Sequence, residues 1–253
     1  MAALDEYSVT ALPLTMLCKG AAIGQAIGFF YKLTDRYFLI SNWHVFSGRS
    51  PYTGQARRKD AALPDALGLA LHRKDHLGGF VEGYSARLDD DQGAVKWLQH
   101  QQGQDIDVAV LPIDVFPADC VAYELPRASE ASDMAFRVGM DAYILGFPKG
   151  IAHQKYLPIW KRASVATEPD IPHDDLPVFL VDTTTREGMS GAPVLLRSFG
   201  GYDTKSGDRS IGGGAFTRFV GIYSGRFGAE DEFGAQLGRV WHRSVIDEII
   251  ANG

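Results

Sequence analysis

Gly188-Met189-Ser190-Gly191-Ala192-Pro193-Val194 holds a serine between two glycines and then enters an apolar run. Glycines on either side let the backbone turn tightly and approach another chain without side-chain obstruction. In such a turn the amides of Gly188 and Ser190 can converge on one point, the arrangement that a developing oxyanion needs. Pro193 and Val194 then launch a buried strand. Taken alone, the hexapeptide Gly188 to Pro193 serves equally as a plain turn before a strand. It departs from the Gly-x-Ser-x-Gly elbow of α/β hydrolases, because position 192 is alanine and strand, not helix, follows.

The surroundings agree with that reading. Short apolar or alternating runs are punctuated by Gly, Pro, Asp and Asn throughout the chain. Residues 27–31 and 37–40, separated by Thr34-Asp35-Arg36, read as a hairpin. Further strands are expected at 66–72, 84–88, 107–111, 141–145, 178–181, 193–196 and 219–223. Many short strands without interleaved long helices imply an all-β barrel or sandwich. Helix is expected at 94–101 and at 238–251, where Val240, Trp241, Val245, Ile249 and Ile250 can share a face. Two stretches read as loops, 47–64 and the glycine-rich 199–214.

Composition narrows the class. The 253 residues are 45% hydrophobic and 22% charged, which is ordinary globular usage. A net charge of −6 argues against non-specific binding to nucleic acid or to anionic membranes. The short basic run Arg57-Arg58-Lys59 reads as solvated surface. No segment approaches the length of a membrane span, and the acidic start at Asp5-Glu6 does not resemble a signal peptide, so a cytoplasmic protein is expected. Cys18 and Cys120 read as reduced, buried thiols; a bridge between them would need an oxidising compartment. The scattered histidines form no metal-ligand pair, and no metal or cofactor is expected.

Two other segments carry the remaining chemistry. Phe38-Leu39-Ile40-Ser41-Asn42-Trp43-His44-Val45 is an apolar strand ending in small polar residues, with a histidine at the start of the next loop. Asp105-Ile106-Asp107-Val108-Ala109-Val110-Leu111 opens a strongly apolar run with an acid. A buried aspartate is costly unless its carboxylate is hydrogen-bonded, for instance by an imidazole N–H. Each segment alone has a structural explanation: a packed histidine, a strand-start turn. In the order His, Asp, Ser, each in its local setting, the three resemble the trypsin-like serine proteases, nearest to bacterial members including the Deg-type quality-control proteases. Residues 138–148 are similar to the opening strand of that family's second barrel, and 219–225 to the strand edging its substrate cleft.

The resemblance implies two six-stranded antiparallel β-barrels of the chymotrypsin fold with a closing C-terminal α-helix. Residues 1–125 would carry His44 and Asp107, and residues 126–253 would carry Ser190. It further implies Ser190 as nucleophile, His44 as general base and then acid, and Asp107 orienting the imidazole. The amides of Gly188 and Ser190 would form the oxyanion hole. Ser224 would bond the buried aspartate, and the strand through Ser224 and Gly225 would hold an extended substrate. Thr184 and Thr185 would floor the primary pocket, with Glu187 and Arg226 on its rims; Arg226 would narrow the pocket or favour an acidic side chain. Many relatives place an aspartate just before the nucleophile to pair with a freshly cut N-terminus. Met189 stands there instead, so activation by N-terminal cleavage is not expected. The peptide-binding module of Deg-type relatives has no counterpart after residue 250. The expected partner is a protein or peptide substrate, with a further protein that activates or restrains the enzyme. The rival readings are a catalytically silent or partner-activated binding module on the same fold, and an acyl hydrolase acting on small esters.

Overall fold

The computed structural model describes residues 4–76, 79–153, 156–184, 188–226 and 236–253. Among them, the first half of the chain forms strands β1 (Ala11–Cys18), β2 (Ala21–Leu33), β3 (Arg36–Ser41), β4 (Ala66–Arg73), β5 (Phe80–Arg87), β6 (Leu98–Gln99), β7 (Ala109–Ile113) and β8 (Cys120–Val121). The second half forms β9 (Asp141–Gly146), β10 (Ile159–Val165), β11 (Val178–Asp182), β12 (Pro193–Asp203), β13 (Arg209–Arg226) and β14 (Leu237–His242). Two helices, α1 (Trp43–Ser47) and α2 (Ser244–Asn252), complete the elements used below.

The first sheet runs β5-β4-β1-β2-β3-β7-β6, with β8 beside β4. Six of its strands are long; β6 and β8 are two-residue additions at its margins. The second sheet closes as a six-stranded barrel in the order β10-β11-β14-β13-β12-β9. The all-β class with a terminal helix thus stands as expected.

Alternation along β2, β3 and the segment leading through β7 explains why their sequences are apolar without a break. Phe29, Tyr31, Phe38, Ile40, Val108 and Val110 point into a cluster shared with the second barrel. Phe30, Leu39, Ala109 and Leu111 point the other way, into the core of the first sheet. Successive strand side chains face opposite sides, so a strand buried on both faces must be apolar at every position. Phe29 meets Phe219 of β13 edge to face at 5.3 Å, which locks the two bodies together.

The chain ends cross between the bodies. Residues 6–9 form a 3₁₀ turn capped by Asp5, and Ser8 Oγ accepts from Trp160 Nε1 of β10 at 2.9 Å. Asp5 pairs with Arg197 of β12. In return α2 packs on β7 and β6 of the first sheet, and Tyr31 donates its hydroxyl to Asp247 Oδ1 at 2.6 Å.

Several local expectations need correction. Residues 238–242 are strand, not helix: β14 is bonded on both sides, to β11 and β13, so Val240 and Trp241 answer to sheet pairing. Helix begins at Ser244, where Val245, Ile246 and Ile249 supply the buried face. No helix forms at 94–101; β6 pairs there with β7. The glycine-rich 199–214 stretch is the arms and turn of the long β12–β13 hairpin, which absorbs its glycines at bulges such as the one at Phe199/Gly201. His44 stands in the one-turn helix α1, which ends on Gly48 in the left-handed region.

Strands β1 and β10 were not anticipated. Pro13 obscures β1, yet it lies outside the stretch bonded to β4, which starts at Leu14. Lys161 and Arg162 obscure β10; Arg162 pairs across the sheet with Asp141 at 2.8 Å.

Candidate active site

Each of the three chemical segments is held by a different element. His44 is fixed by α1 immediately after β3. Asp107 sits two residues before β7, and Asn42 Nδ2 donates to its carbonyl at 2.8 Å. Because β3 and β7 are hydrogen-bonded neighbours, with Ser41 opposite Ala109, the residues that follow and precede them come together.

The Asp107 carboxylate is 2% exposed and does not lack donors. His44 N donates to Oδ1 at 2.9 Å, and His44 Nδ1 lies 3.0 Å from Oδ1 and 2.8 Å from Oδ2. Ser224 Oγ, from β13 of the other body, donates to Oδ2 at 2.8 Å. An ionised carboxylate only accepts, so the proton of a neutral imidazole resides on Nδ1 and leaves Nε2 as the basic atom. Four contacts around one buried charge compensate its desolvation.

Ser190 arrives on the turn before β12. Its carbonyl accepts from Ile27 N of β2 at 2.9 Å, and Gly191 N donates to Tyr223 O of β13 at 2.9 Å. The turn is thereby tied to both bodies. Gly191 has φ +86, and a Cβ there would sit on the Ile27 carbonyl and on Ser41 Oγ, so no other residue fits. Gly188, at φ +87, is less crowded: a Cβ there would lie 3.0 Å from Phe147 O, and the left-handed backbone is what favours glycine. Met189 between them is 1% exposed and faces Gly146, inside the shared apolar cluster.

His44, Asp107, Ser190, Ser224, Gly225 and Arg226 line one cleft of about 270 Å³. Gly188 lines a different groove, of about 590 Å³, together with Phe147 and Gly150. Thr184 is exposed at the end of β11, its hydroxyl donating to Gln236 Oε1 at 2.5 Å, and does not line the cleft with Ser190. Thr185 and Glu187 lie outside the described residues. The sequence reading missed Tyr52 and Arg57, which line the same cleft. Their only signal was the run of turn-forming and basic residues at 47–64, which composition assigns to solvent. Asn42 binds the Asp107 carbonyl, and its place two residues before the histidine was the available signal.

Among the described residues no group of His, Cys, Asp and Glu could hold a metal ion. Cys18 and Cys120 are free thiols, the first half-buried and the second buried. No helix of the described residues is long and apolar enough to cross a membrane.

A β-barrel and a neighbouring sheet, with Ser, His and Asp gathered between them, define the class of chymotrypsin-fold serine proteases. The chain belongs to the trypsin-like peptidase domain family, whose model matches residues 26–199, and is by class a serine endopeptidase. Solved structures share the fold at low identity. A thermostable serine protease, AL20, from an extremophilic microorganism is 9% identical with a TM-score of 0.55, covering 96% of each chain. Protease Anisep from Arthrobacter nicotinovorans is 10% identical with a TM-score of 0.54, covering 96% of this chain and 94% of its own. The serine endoprotease from Yersinia pestis is 11% identical with a TM-score of 0.51, covering 100% of this chain and 67% of its own. No curated protein matches the chain in sequence.

Proposed function

We propose that the protein cleaves peptide bonds through an acyl-enzyme formed on Ser190. The observation that carries the reading is the Asp107 carboxylate, held by His44 Nδ1 at 2.8 Å in the cleft that Ser190 also lines. His44 Nε2 takes the Ser190 proton as Oγ attacks the scissile carbonyl, then returns it to the leaving amine. Asp107 holds the ring in the required tautomer and stabilises the imidazolium. The amides of Gly188 and Ser190 receive the oxyanion.

In this reading residues 1–125 deliver base and acid, and residues 126–253 deliver the nucleophile. A substrate adds as a strand along Ser224 and Gly225. Arg226, on the cleft wall, favours an acidic side chain beside the scissile bond; Arg57 adds a second positive charge there. By the family resemblance alone Thr185 and Glu187, outside the described residues, would stand on the pocket side; Thr184, turned to Gln236, is not part of the proposal. Met189, buried against Gly146, supports a site formed without N-terminal cleavage, because a thioether takes no ion-pair partner. The two free thiols are consistent with a reducing, cytoplasmic setting.

Fluorophosphonate labelling of the purified chain tests the assignment. Wild type is expected to label at Ser190, and Ser190→Ala and His44→Ala to remain unlabelled. Each loss should also lower peptide turnover by roughly 10⁴-fold. Absence of label on wild type would leave the binding-module or partner-activated reading in its place.

A further inference from the structure

We propose that Ser41 is a positioning residue for the nucleophile: its hydroxyl sets the turn that carries Ser190 at its working distance from His44. The inference rests on the reading above that Ser190 attacks, and adds which side chain holds the two bodies in register there.

The histidine and the aspartate are fixed from within the first body. Ser41 pairs with Ala109 in the last rung between β3 and β7, with His44 three residues after it and Asp107 two residues before its partner. Asn42 Nδ2 and His44 N close that junction on the Asp107 carbonyl and carboxylate. Ser190 comes from the other body, so its distance to His44 depends on a contact between the bodies. Among the described residues, the backbone bond joining its turn to the first body is Ile27 N to Ser190 O, at 2.9 Å.

Ser41 holds the other half of that contact. An antiparallel strand residue points its N–H and C=O to the same side. The β2–β3 ladder stops at Phe29 opposite Ile40, two residues short of Ile27. Beyond it, Ile27 gives its N–H to Ser190, and its carbonyl accepts from the Ser41 hydroxyl at 2.6 Å. Both residues are fully buried, so bulk water does not reach that bond. The same two oxygens shape the notch that receives Gly191: a Cβ there would lie 2.0 Å from Ile27 O and 2.3 Å from Ser41 Oγ. The hydroxyl thus bears on the turn twice, through the Ile27 backbone to Ser190 and directly beside Gly191.

Removing the hydroxyl leaves a buried carbonyl without its donor and opens space beside Gly191, while the His44–Asp107 pair keeps its own contacts. The rate and the final extent of fluorophosphonate labelling separate position from folding. Both are measured for wild type, Ser41→Ala, Ser41→Thr and Ser41→Cys, beside far-UV circular dichroism and the low-field NMR signal of the His44 Nδ1 proton. Ser41→Ala is expected to label its whole folded fraction, but about ten- to hundredfold more slowly, with the His44 signal in place. Its kcat on peptide should fall in step while KM holds. Ser41→Thr keeps the donor and should restore the rate; Ser41→Cys offers a weaker donor and should fall between. A role in stability alone would lower the extent and leave the rate per folded chain unchanged. That result, or a Thr variant as slow as the Ala variant, overturns the proposal. Should Ser41→Ala not fold, Ser41→Cys carries the same comparison. A wild type that takes no label removes the nucleophile assignment and this role with it; a wild type that labels no faster than the Ala and Cys variants removes this role alone.

Discussion

Ser224 is the side chain through which the second body reaches the acid of the first. Its Oγ donates to Asp107 Oδ2 at 2.8 Å, alongside the imidazole that shares the same oxygen. A hydrogen bond to a charged group is worth about 1.5–3 kcal/mol, and here it fixes the carboxylate that His44 Nδ1 also contacts. Ser224→Ala is therefore expected to lower kcat/KM by about ten- to hundredfold with KM little changed, read from steady-state peptide cleavage. An unchanged kcat would mean that the His44 contacts orient Asp107 alone. The Ser224–Asp107 hydrogen bond was legible in the sequence once the family resemblance was drawn. The crowding at Gly191 was not, because the obstructing atoms belong to Ile27 and Ser41, about 150 residues earlier in the chain.

The strands carry the next level of constraint, and β4 contains its most pH-sensitive member. His72 is 2% exposed, with its ring 4.5 Å from Phe80 and 5.0 Å from Tyr123. Burial pushes its pKa down to about 4, against a weaker opposing pull from the Val9 backbone. The unfolded chain binds this proton near its ordinary value of about 6.5, so between those limits the unfolded state carries more protons. Stability is fully present above about pH 6.5 and falls as pH drops toward about 4, by on the order of 3 kcal/mol. Burial lowers His242 in the same direction. Urea midpoints measured across that window should decline toward acid, and His72→Gln should flatten the decline. A slope identical in wild type and variant would show that other groups govern it. The misread elements belong to this scale as well. Val240 and Trp241 fit an amphipathic helix as well as a strand, and pairing with β11 and β13 makes them strand.

At the scale of the whole molecule, the two sheets share one apolar cluster. It includes Phe29, Ile40 and Val110 from the first and Leu195, Phe219 and Trp241 from the second. The crossing ends, Ser8 bonded to Trp160 and Asp247 bonded to Tyr31, tie each body to the other. Neither sheet can open without exposing the shared cluster, so urea unfolding is expected to be one transition, coincident by tryptophan fluorescence and far-UV circular dichroism. Two separated transitions would mean that the halves are stable independently. The sequence by itself determined the all-β class, because uninterrupted apolar strands and short turns admit few other packings. It also marked three residues that line one cleft, because the serine between two glycines, the histidine after an apolar strand and the acid before another are local patterns. Tertiary structure decided everything that depends on distant pairing. It placed Tyr52 and Arg57 on the cleft, turned Thr184 to Gln236, and divided strand from helix at residue 243. The physical reason is that burial and hydrogen-bond partners are properties of neighbours in space, and residues far apart in the chain become neighbours only when the two sheets close on each other.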